Sequence, residues 1–307
     1  MDERYAISRY EQAALLLPPK WQRLARQLPD HQKARAEELR LRAGQPMTVL
    51  LPEGEVWLTQ EQPVPRVAQG DLEQLCDMVT GYSRYAVSET MAQGYLTAPG
   101  GFRVGLCGTV VLREGESCNL RDLSSVCIRI GREQEGLSTQ VLPQLWEGDR
   151  FCATVILSPP GLGKTTLLRD MIRSLSDGSP EHAAWRVGVV DERGEIAGVH
   201  RGVPQLAVGC HTDVLDGCPK ALGIPILLRS ANPQIIAVDE ITAREDLAAI
   251  SAAANCGVTL LATIHAADVA ELKRKPLFAQ LLKLKVFEKA VTITRRDGQR
   301  RYEVTAL

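Results

Sequence analysis

The sequence predicts an α/β protein in which a smaller mixed α+β region precedes a doubly wound parallel sheet. Four apolar runs in the second half lack polar alternation, which is typical of strands covered on both faces. They are 153–157, 187–190, 235–238 and 258–262. The long connections between these runs can hold the crossover helices that a parallel sheet requires. Before about residue 145, shorter strand-like runs are instead separated by Gly and Pro.

The chain is accordingly expected to form two domains, 1–145 and 146–307. In the first, helices are predicted over 10–28 and 71–80. Four strands are also predicted there, over 47–51, 56–58, 102–106 and 109–112, with a turn at Cys107-Gly108.

The end of the second domain carries a hairpin signal. The apolar stretches 286–294 and 301–305 flank Asp297-Gly298, a dipeptide that favours a tight turn between paired strands. The sheet should therefore close with an antiparallel ribbon.

The composition is that of an ordinary globular protein. The chain has 307 residues, with 36 Lys and Arg against 37 Asp and Glu, and 45% of its residues are hydrophobic. A net charge near zero argues against nucleic-acid binding through overall charge. The apolar runs are far shorter than the roughly 20 residues of a membrane helix, and no secretory signal is found. A cytoplasmic protein is expected.

The eight cysteines predict neither a zinc site nor a redox motif, because no Cys-x-x-Cys pair occurs. The closest Cys/His group, Cys210-His211 with Cys218, lacks a fourth ligand at useful spacing. We expect reduced cysteines that pack as small hydrophobic side chains.

The strongest motif runs from Ser158 to Thr166, between a predicted strand and a predicted helix. A glycine-rich loop at a helix N-terminus presents backbone N–H groups to phosphate. Lys164 can then reach the β- and γ-phosphates of ATP, and the Thr165 hydroxyl can bind Mg²⁺. Ser158 stands where such loops usually have Gly. Phosphate contacts are assigned to Pro160, Gly161, Leu162, Gly163, Lys164, Thr165 and Thr166.

Hydrolysis of a bound triphosphate needs carboxylates, and Asp239-Glu240 supplies two at the end of the apolar run 235–238. This is the sheet edge at which α/β proteins bind ligands. We assign Asp239 to Mg²⁺ and Glu240 to the attacking water.

Two further strand ends should face the same place. The run 187–190 leads into an acidic cluster in which Asp191, Glu192 and Glu195 are candidate nucleotide-binding residues. The run 258–262 leads into Thr263 and His265, which are two residues apart and can share one face. Thr263 is expected to sense the γ-phosphate, and His265 is a candidate catalytic residue whose alternative is a structural role.

These motifs resemble the secretion-type P-loop ATPases, which drive pili and secretion systems as rings. Further motifs narrow the resemblance to the stage III sporulation protein AA family of endospore formers. They are Glu38–Arg42, Gly94–Thr97, Gly100–Gly105, Thr212–Asp216 and Arg229–Pro233. The sequence departs from the expected pattern at Ser158, at His211 in place of Arg, and at Ala266-Ala267 in place of Gly.

The resemblance implies a RecA-like P-loop ATPase domain over 146–307, with ATP and Mg²⁺ as cofactors. It also implies a homohexamer at the mother-cell face of a complex that spans the envelope between mother cell and forespore, with membrane proteins of that complex as partners. Rings of this kind often complete their site with an arginine from a neighbouring subunit. Arg103 is our first choice, ahead of Arg129, Arg193 and Arg201.

The last stretch, 271–307, is basic, with ten Lys and Arg against four Asp and Glu. It could face an anionic membrane surface or an acidic partner, or it could be a solvated face. Nucleic acid is not expected, because this stretch has few aromatic residues that could stack on bases. They are Phe278, Phe287 and Tyr302.

Two functions therefore stay open at the level of sequence. The first is a motor driven by ATP hydrolysis, and the alternative is a nucleotide-gated assembly scaffold in which hydrolysis is slow or dispensable. Ser158 and His211 motivate the alternative. A small-molecule kinase is disfavoured because no arginine-rich lid pattern follows the loop, and an ABC transporter subunit is disfavoured because the Leu-Ser-Gly-Gly-Gln signature is absent.

Overall fold

The computed structural model describes residues 3–59, 63–81, 88–113, 115–296 and 299–307. These residues form two compact units. The N-terminal unit comprises Met1–Arg132 and Gly198–Gln205, and the C-terminal unit comprises Glu133–Ala197 and Leu206–Leu307. The predicted domain division at residue 145 stays a prediction.

The N-terminal unit begins with short helices rather than one long helix. Its helices are α1 (Glu3–Ala14), α2 (Pro19–Arg26), α3 (Asp30–Lys33), α4 (Gln69–Thr80) and α5 (Ser88–Ala92). The single helix predicted over 10–28 is therefore wrong, because Pro18-Pro19 interrupts it. A proline disfavours helical backbone at the residue before it and cannot donate within a helix. At the first turn of α2 the missing N–H of Pro19 costs nothing.

The sheet of the N-terminal unit is antiparallel throughout. Its strands are β1 (Glu38–Arg42), β2 (Thr48–Leu51), β3 (Gly54–Trp57), β4 (Tyr95–Ala98), β5 (Phe102–Arg113) and β6 (Glu116–Arg129). Among the described residues they pair in the order β3-β2-β1-β6-β5-β4. The helices cover one face, where Tyr10, Trp21 and Phe102 are almost fully buried.

The turn predicted at Cys107-Gly108 is instead a bulge within the continuous strand β5. A methyl group on Gly108 would lie 2.7 Å from the carbonyl oxygen of Arg121 on β6. The glycine therefore serves the close approach of two strands, which is a common role of glycine at bulges.

The C-terminal unit has α/β order. Its strands are β7 (Trp146–Glu147), β8 (Arg150–Phe151), β9 (Thr154–Ser158), β10 (Val187–Asp191), β11 (Thr212–Asp216), β12 (Ile235–Val238), β13 (Thr259–His265), β14 (Lys289–Arg296) and β15 (Gln299–Ala306). Its helices are α6 (Lys164–Asp177), α7 (Lys220–Ser230), α8 (Arg244–Asn255), α9 (Val269–Arg274) and α10 (Pro276–Lys283).

Seven of the described strands form one sheet in the order β11-β10-β12-β13-β9-β14-β15. All neighbours from β11 to β14 pair in parallel, and every residue of β9, β10 and β12 is buried. Helices thus cover both faces, as the unbroken apolar runs predict. The edge strand β11 is partly exposed and therefore has no comparable apolar run.

The sheet closes with the antiparallel pair β14–β15, as predicted. The turn dipeptide Asp297-Gly298 itself lies outside the described residues. Within the residues that the structure describes, no helix combines the length and apolar composition needed to cross a bilayer.

Candidate active site

The glycine-rich loop leaves β9 at Ser158 and enters α6 at Lys164. Gly161 and Gly163 have φ values of 78° and 92°, in the left-handed region that favours glycine. Ser158 is the last residue of a strand and is fully buried. Because that position is extended, replacing the usual Gly with Ser causes no backbone strain.

The Lys164 side chain is folded back into the loop and is only 5% exposed. Its ammonium donates to the carbonyl oxygens of Ser158 at 3.1 Å and Pro159 at 3.3 Å, and lies 2.9 Å from Nδ1 of His265. Burial lowers the pKa of Lys164, and the charges of Asp239 and Glu240 partly oppose that shift. The loop carbonyls thus hold a cation that a phosphate could take over.

Asp239 joins three elements at the carboxyl edge of the sheet. Its Oδ2 accepts from the Thr165 hydroxyl at 2.6 Å, and its Oδ1 accepts from the Thr263 hydroxyl. Thr263 is fully buried on β13, and its hydroxyl also accepts from the backbone N–H of Glu240 at 2.8 Å. The sequence assignments to Thr165, Asp239 and Thr263 therefore fall on one hydrogen-bonded cluster.

Glu240 has a φ of 51°, which is uncommon for a residue with a side chain. Its Oε1 accepts from Nε2 of His265 at 2.6 Å, and its Oε2 accepts from Arg193 at 2.8 Å. Burial would raise the pKa of the Glu240 carboxyl. The hydrogen bond from His265 and the charges of Arg193 and Lys164 outweigh that effect, so the pKa of Glu240 is lowered.

The two contacts of His265 define its tautomer while Lys164 is charged. An ammonium group can only donate, so Nδ1 must accept from Lys164. Nε2 then carries the proton and donates to Glu240. His265 therefore links the phosphate-loop lysine to the carboxylate that we assign to water.

The acidic cluster after β10 is bonded differently from the sequence expectation. Asp191 is buried, and its carboxylate accepts from the N–H groups of Glu195, Ile196 and Ala197 at 2.9, 3.1 and 2.8 Å. Burial raises its pKa, against the effect of these three hydrogen bonds. Glu192 is paired with the buried Lys220. Nucleotide contacts of Asp191, Glu192 and Glu195 stay predictions.

The remaining predicted residues lie in several places. In the loop Pro160 is exposed, and Leu162 and Thr166 are half-buried. Arg103 belongs to the N-terminal unit, where its guanidinium lies 4.2 Å from the centre of the Tyr95 ring. Its role across a subunit interface stays a prediction.

Two residues that contact or adjoin these acidic side chains, Arg193 and Asp216, were not assigned such contacts from the sequence. Arg193 was considered only as a trans-acting arginine, but it contacts Glu240 of its own chain. The signal for Arg193 was its place directly after the Asp-Glu pair at the carboxyl end of β10. Asp216 ends β11 in register with Asp191, and burial and the Asp191 charge raise its pKa to about 6.

His211 lies at the opposite end of α6 from the phosphate loop. Its Nδ1 is 2.8 Å from the carbonyl oxygen of Ser176, about 18 Å along the helix from Lys164. The His211 side chain, which replaces the expected Arg, therefore lies away from the candidate site.

The oxygens of Thr165 and Asp239 fit Mg²⁺. This ion takes hard oxygen ligands, and it is usually bound by one or two carboxylates together with phosphate oxygens and waters. No group of three or more His, Cys, Asp and Glu that could hold a metal occurs among the described residues. A Mg²⁺ ion held by Thr165 and Asp239 would take its remaining ligands from phosphate oxygens and waters.

Comparison with known proteins identifies similar chains. The sequence model of the family described as "Sporulation stage III, protein AA" matches residues 8–303. Stage III sporulation protein AA of Bacillus subtilis (strain 168) is 35% identical over 288 residues, which cover 93% of this chain and 91% of that protein.

Two solved structures resemble this one in fold. The ATPase DotB of Legionella pneumophila aligns with a TM-score of 0.55 at 18% identity, covering 88% of this chain and 76% of DotB. The pilus retraction motor PilT, solved with bound ADP, aligns with a TM-score of 0.59 at 18% identity, covering 88% of this chain and 79% of PilT. The predicted fold class is confirmed: a RecA-like P-loop domain follows a smaller α+β domain.

Proposed function

Because the chain belongs to the sporulation stage III protein AA family, we propose that it is an ATP-hydrolysing ring motor of the secretion type. The observation that carries the proposal is the convergence of Lys164, Asp239 and Glu240 around the phosphate loop, linked through Thr165, Thr263 and His265. The names of similar folds, an ATPase and a pilus retraction motor, support it.

In the proposed binding step, the loop N–H groups and the N-terminal end of α6 receive the phosphates of ATP. Lys164 exchanges the carbonyl oxygens of Ser158 and Pro159 for phosphate oxygens. Thr165 and Asp239 are the residues that would hold Mg²⁺. When bound, this ion would neutralise part of the phosphate charge.

In the proposed hydrolytic step, Glu240 orients a water and accepts its proton. The water oxygen forms a bond to the γ-phosphorus while the bond to the β–γ bridging oxygen breaks, and the electron pair leaves with ADP. Both carboxylate oxygens of Glu240 are engaged by His265 and Arg193. Arg193 is half exposed, and exposed ion pairs contribute only about 0–1 kcal/mol, so it is the contact that yields most readily.

The wider assembly is part of the same proposal. We place a homohexamer in the mother-cell cytoplasm, peripheral to a membrane complex that spans the envelope towards the forespore. Arg103 would act across a subunit interface, and basic residues of 271–307 could face anionic lipid. No nucleic-acid partner is proposed.

The proposal is tested by measuring ATP turnover and particle mass of the purified chain over a range of concentrations. A site shared between subunits requires turnover per chain to rise with assembly. Lys164→Ala should abolish MgATP binding. Lys33→Ala, which removes a buried lysine of the N-terminal unit, should retain it, with thermal unfolding as the check on folding.

Negligible turnover together with ATP-dependent assembly would contradict the motor and favour the nucleotide-gated scaffold. Wild-type protein that binds no MgATP would contradict both.

A further inference from the structure

The guanidinium of Arg300 covers one side of the phosphate loop. A methyl group added to Gly163 would lie 3.1 Å from Cζ of Arg300 and 3.2 Å from each of its terminal nitrogens. The same addition at Gly161 would meet no atom within 4 Å. A permanent positive charge from the C-terminal ribbon therefore lies against the residue at which α6 begins, on one side of an otherwise open loop.

A second residue holds Arg300 in this place. Its Nη1 donates to Oε1 of Gln134 at 3.2 Å. The segment that carries Gln134 is tied to α6, because the N–H groups of Gly136 and Ser138 donate to the Asp170 carboxylate at 3.0 and 2.7 Å. The guanidinium thus contacts two segments next to α6. One is the end of the phosphate loop at Gly163, and the other is the segment of Gln134, which is bonded to Asp170 of that helix.

The charge of Arg300 is not neutralised within the described part of the chain. No described carboxylate lies within ion-pair distance of its guanidinium. A bound anion would therefore meet a positive charge that no described carboxylate compensates.

From this geometry we infer that Arg300 is a phosphate-binding residue of the site, a statement that rests on the proposed function. The two cations lie on different parts of the loop, because Lys164 is directed towards Ser158 and His265 whereas Arg300 lies at Gly163. A polyphosphate chain carries charge on successive phosphates. Lys164, which contacts His265 beside Glu240, binds the terminal phosphates. Arg300 binds oxygens of those nearer the nucleoside with its planar, forked guanidinium.

The inference is tested by equilibrium binding of MgADP and of inorganic tripolyphosphate to Arg300→Gln. Arg301→Gln is the matched control, because it removes the same charge from the next residue of β15, whose side chain points to the other face. Loss of a charge-assisted contact should weaken both ligands about 10- to 100-fold in Arg300→Gln. Arg301→Gln should change them less than about twofold.

Three outcomes distinguish the inference from the proposed function. Equal effects of Arg300→Gln and Arg301→Gln, in a wild type that binds MgADP, would overturn the role of Arg300 alone. Weaker MgADP binding with unchanged tripolyphosphate binding would overturn the phosphate assignment. A wild type that binds neither ligand would overturn both. If Arg300→Gln unfolds, Arg300→Lys keeps the charge without the fork, and unchanged affinity for both ligands would contradict a forked contact.

Discussion

An Asp-Glu pair stands at the carboxyl end of each of two neighbouring strands of the C-terminal sheet, β10 and β12, yet the two pairs make different contacts. Asp191 binds three backbone N–H groups of its own loop, and Glu192 binds Lys220. Asp239 instead contacts side chains of α6 and β13, and Glu240 contacts His265 and Arg193.

The difference follows from strand order. The phosphate loop follows β9, and β12 is two strands from β9 whereas β10 is three strands away. At about 4.8 Å per strand, the second pair begins about 10 Å from the loop strand and the first about 14 Å. The short Thr165 and Thr263 side chains of α6 and β13 reach only the nearer pair. A dipeptide at a strand end therefore gains its role from its place across the sheet.

The sharpest test of this comparison exchanges each glutamate for glutamine. Glu240→Gln should lower ATP turnover about 1,000-fold with MgATP binding retained, because the amide cannot accept the proton from water. Glu192→Gln should lower turnover far less, because this carboxylate is paired with Lys220 and not with His265. Turnover and equilibrium binding are measured on both variants. Normal hydrolysis by Glu240→Gln would remove our assignment of the base.

The aspartates should differ in the opposite sense, in stability rather than turnover. Asp191→Ala leaves three N–H groups near a buried site without their acceptor, so the free energy of unfolding should fall by about 3 kcal/mol. For Asp239→Ala, the free energy of unfolding should fall by less, and Mg²⁺-dependent nucleotide affinity should be lost. Urea unfolding and MgATP titration separate the two. Equal losses of stability would show that both aspartates are structural.

A smaller effect is expected at Thr263, which contacts Asp239 and Glu240. Thr263→Val removes the hydroxyl that joins Asp239 to the backbone of Glu240, and turnover should fall about tenfold. Thr259→Val, at the partly exposed start of the same strand, is the control and should change turnover little. Equal turnover in the two variants would contradict a role for the Thr263 hydroxyl.

The smallest effect concerns Asp216, the acidic neighbour of Asp191. Its pKa of about 6 exceeds the unfolded value of about 3.9, so the folded state binds this proton more tightly. Its contribution stabilises the fold below about pH 4 and is lost as the pH rises through about 6. At about pH 7.5, Asp216→Asn should raise the free energy of unfolding by at most about 1 kcal/mol. The carboxyl is only partly desolvated, and the residue as a whole is exposed, so solvent screens its charge.

This gain should shrink as the pH falls towards about 4, where wild-type Asp216 is itself protonated. Denaturant unfolding over that range measures it, and Asp213→Asn on the same strand is the control. A gain that does not depend on pH would show that Asp216 does not carry a raised pKa.

Much of the fold could be predicted because its signals are local. The buried strands are unbroken apolar runs, and the loop from Ser158 to Thr166 has its own glycine and lysine spacing. The errors arose where local pattern is ambiguous. Pro18-Pro19 divides a helical pattern, and Gly108 can mark either a turn or a bulge. The choice at Gly108 depends on the facing strand β6, which the local sequence does not identify.

The order of residues along the chain was enough to indicate a phosphate loop, acidic strand ends and a terminal ribbon, because backbone propensity and burial pattern act over a few neighbours. The tertiary structure decided which acidic pair adjoins the loop, which nitrogen of His265 accepts, and that Arg300 returns from the last strand to Gly163. These outcomes depend on the lateral order of strands, which brings together residues far apart in the chain, 74 positions for Thr165 and Asp239 and 101 for Lys164 and His265.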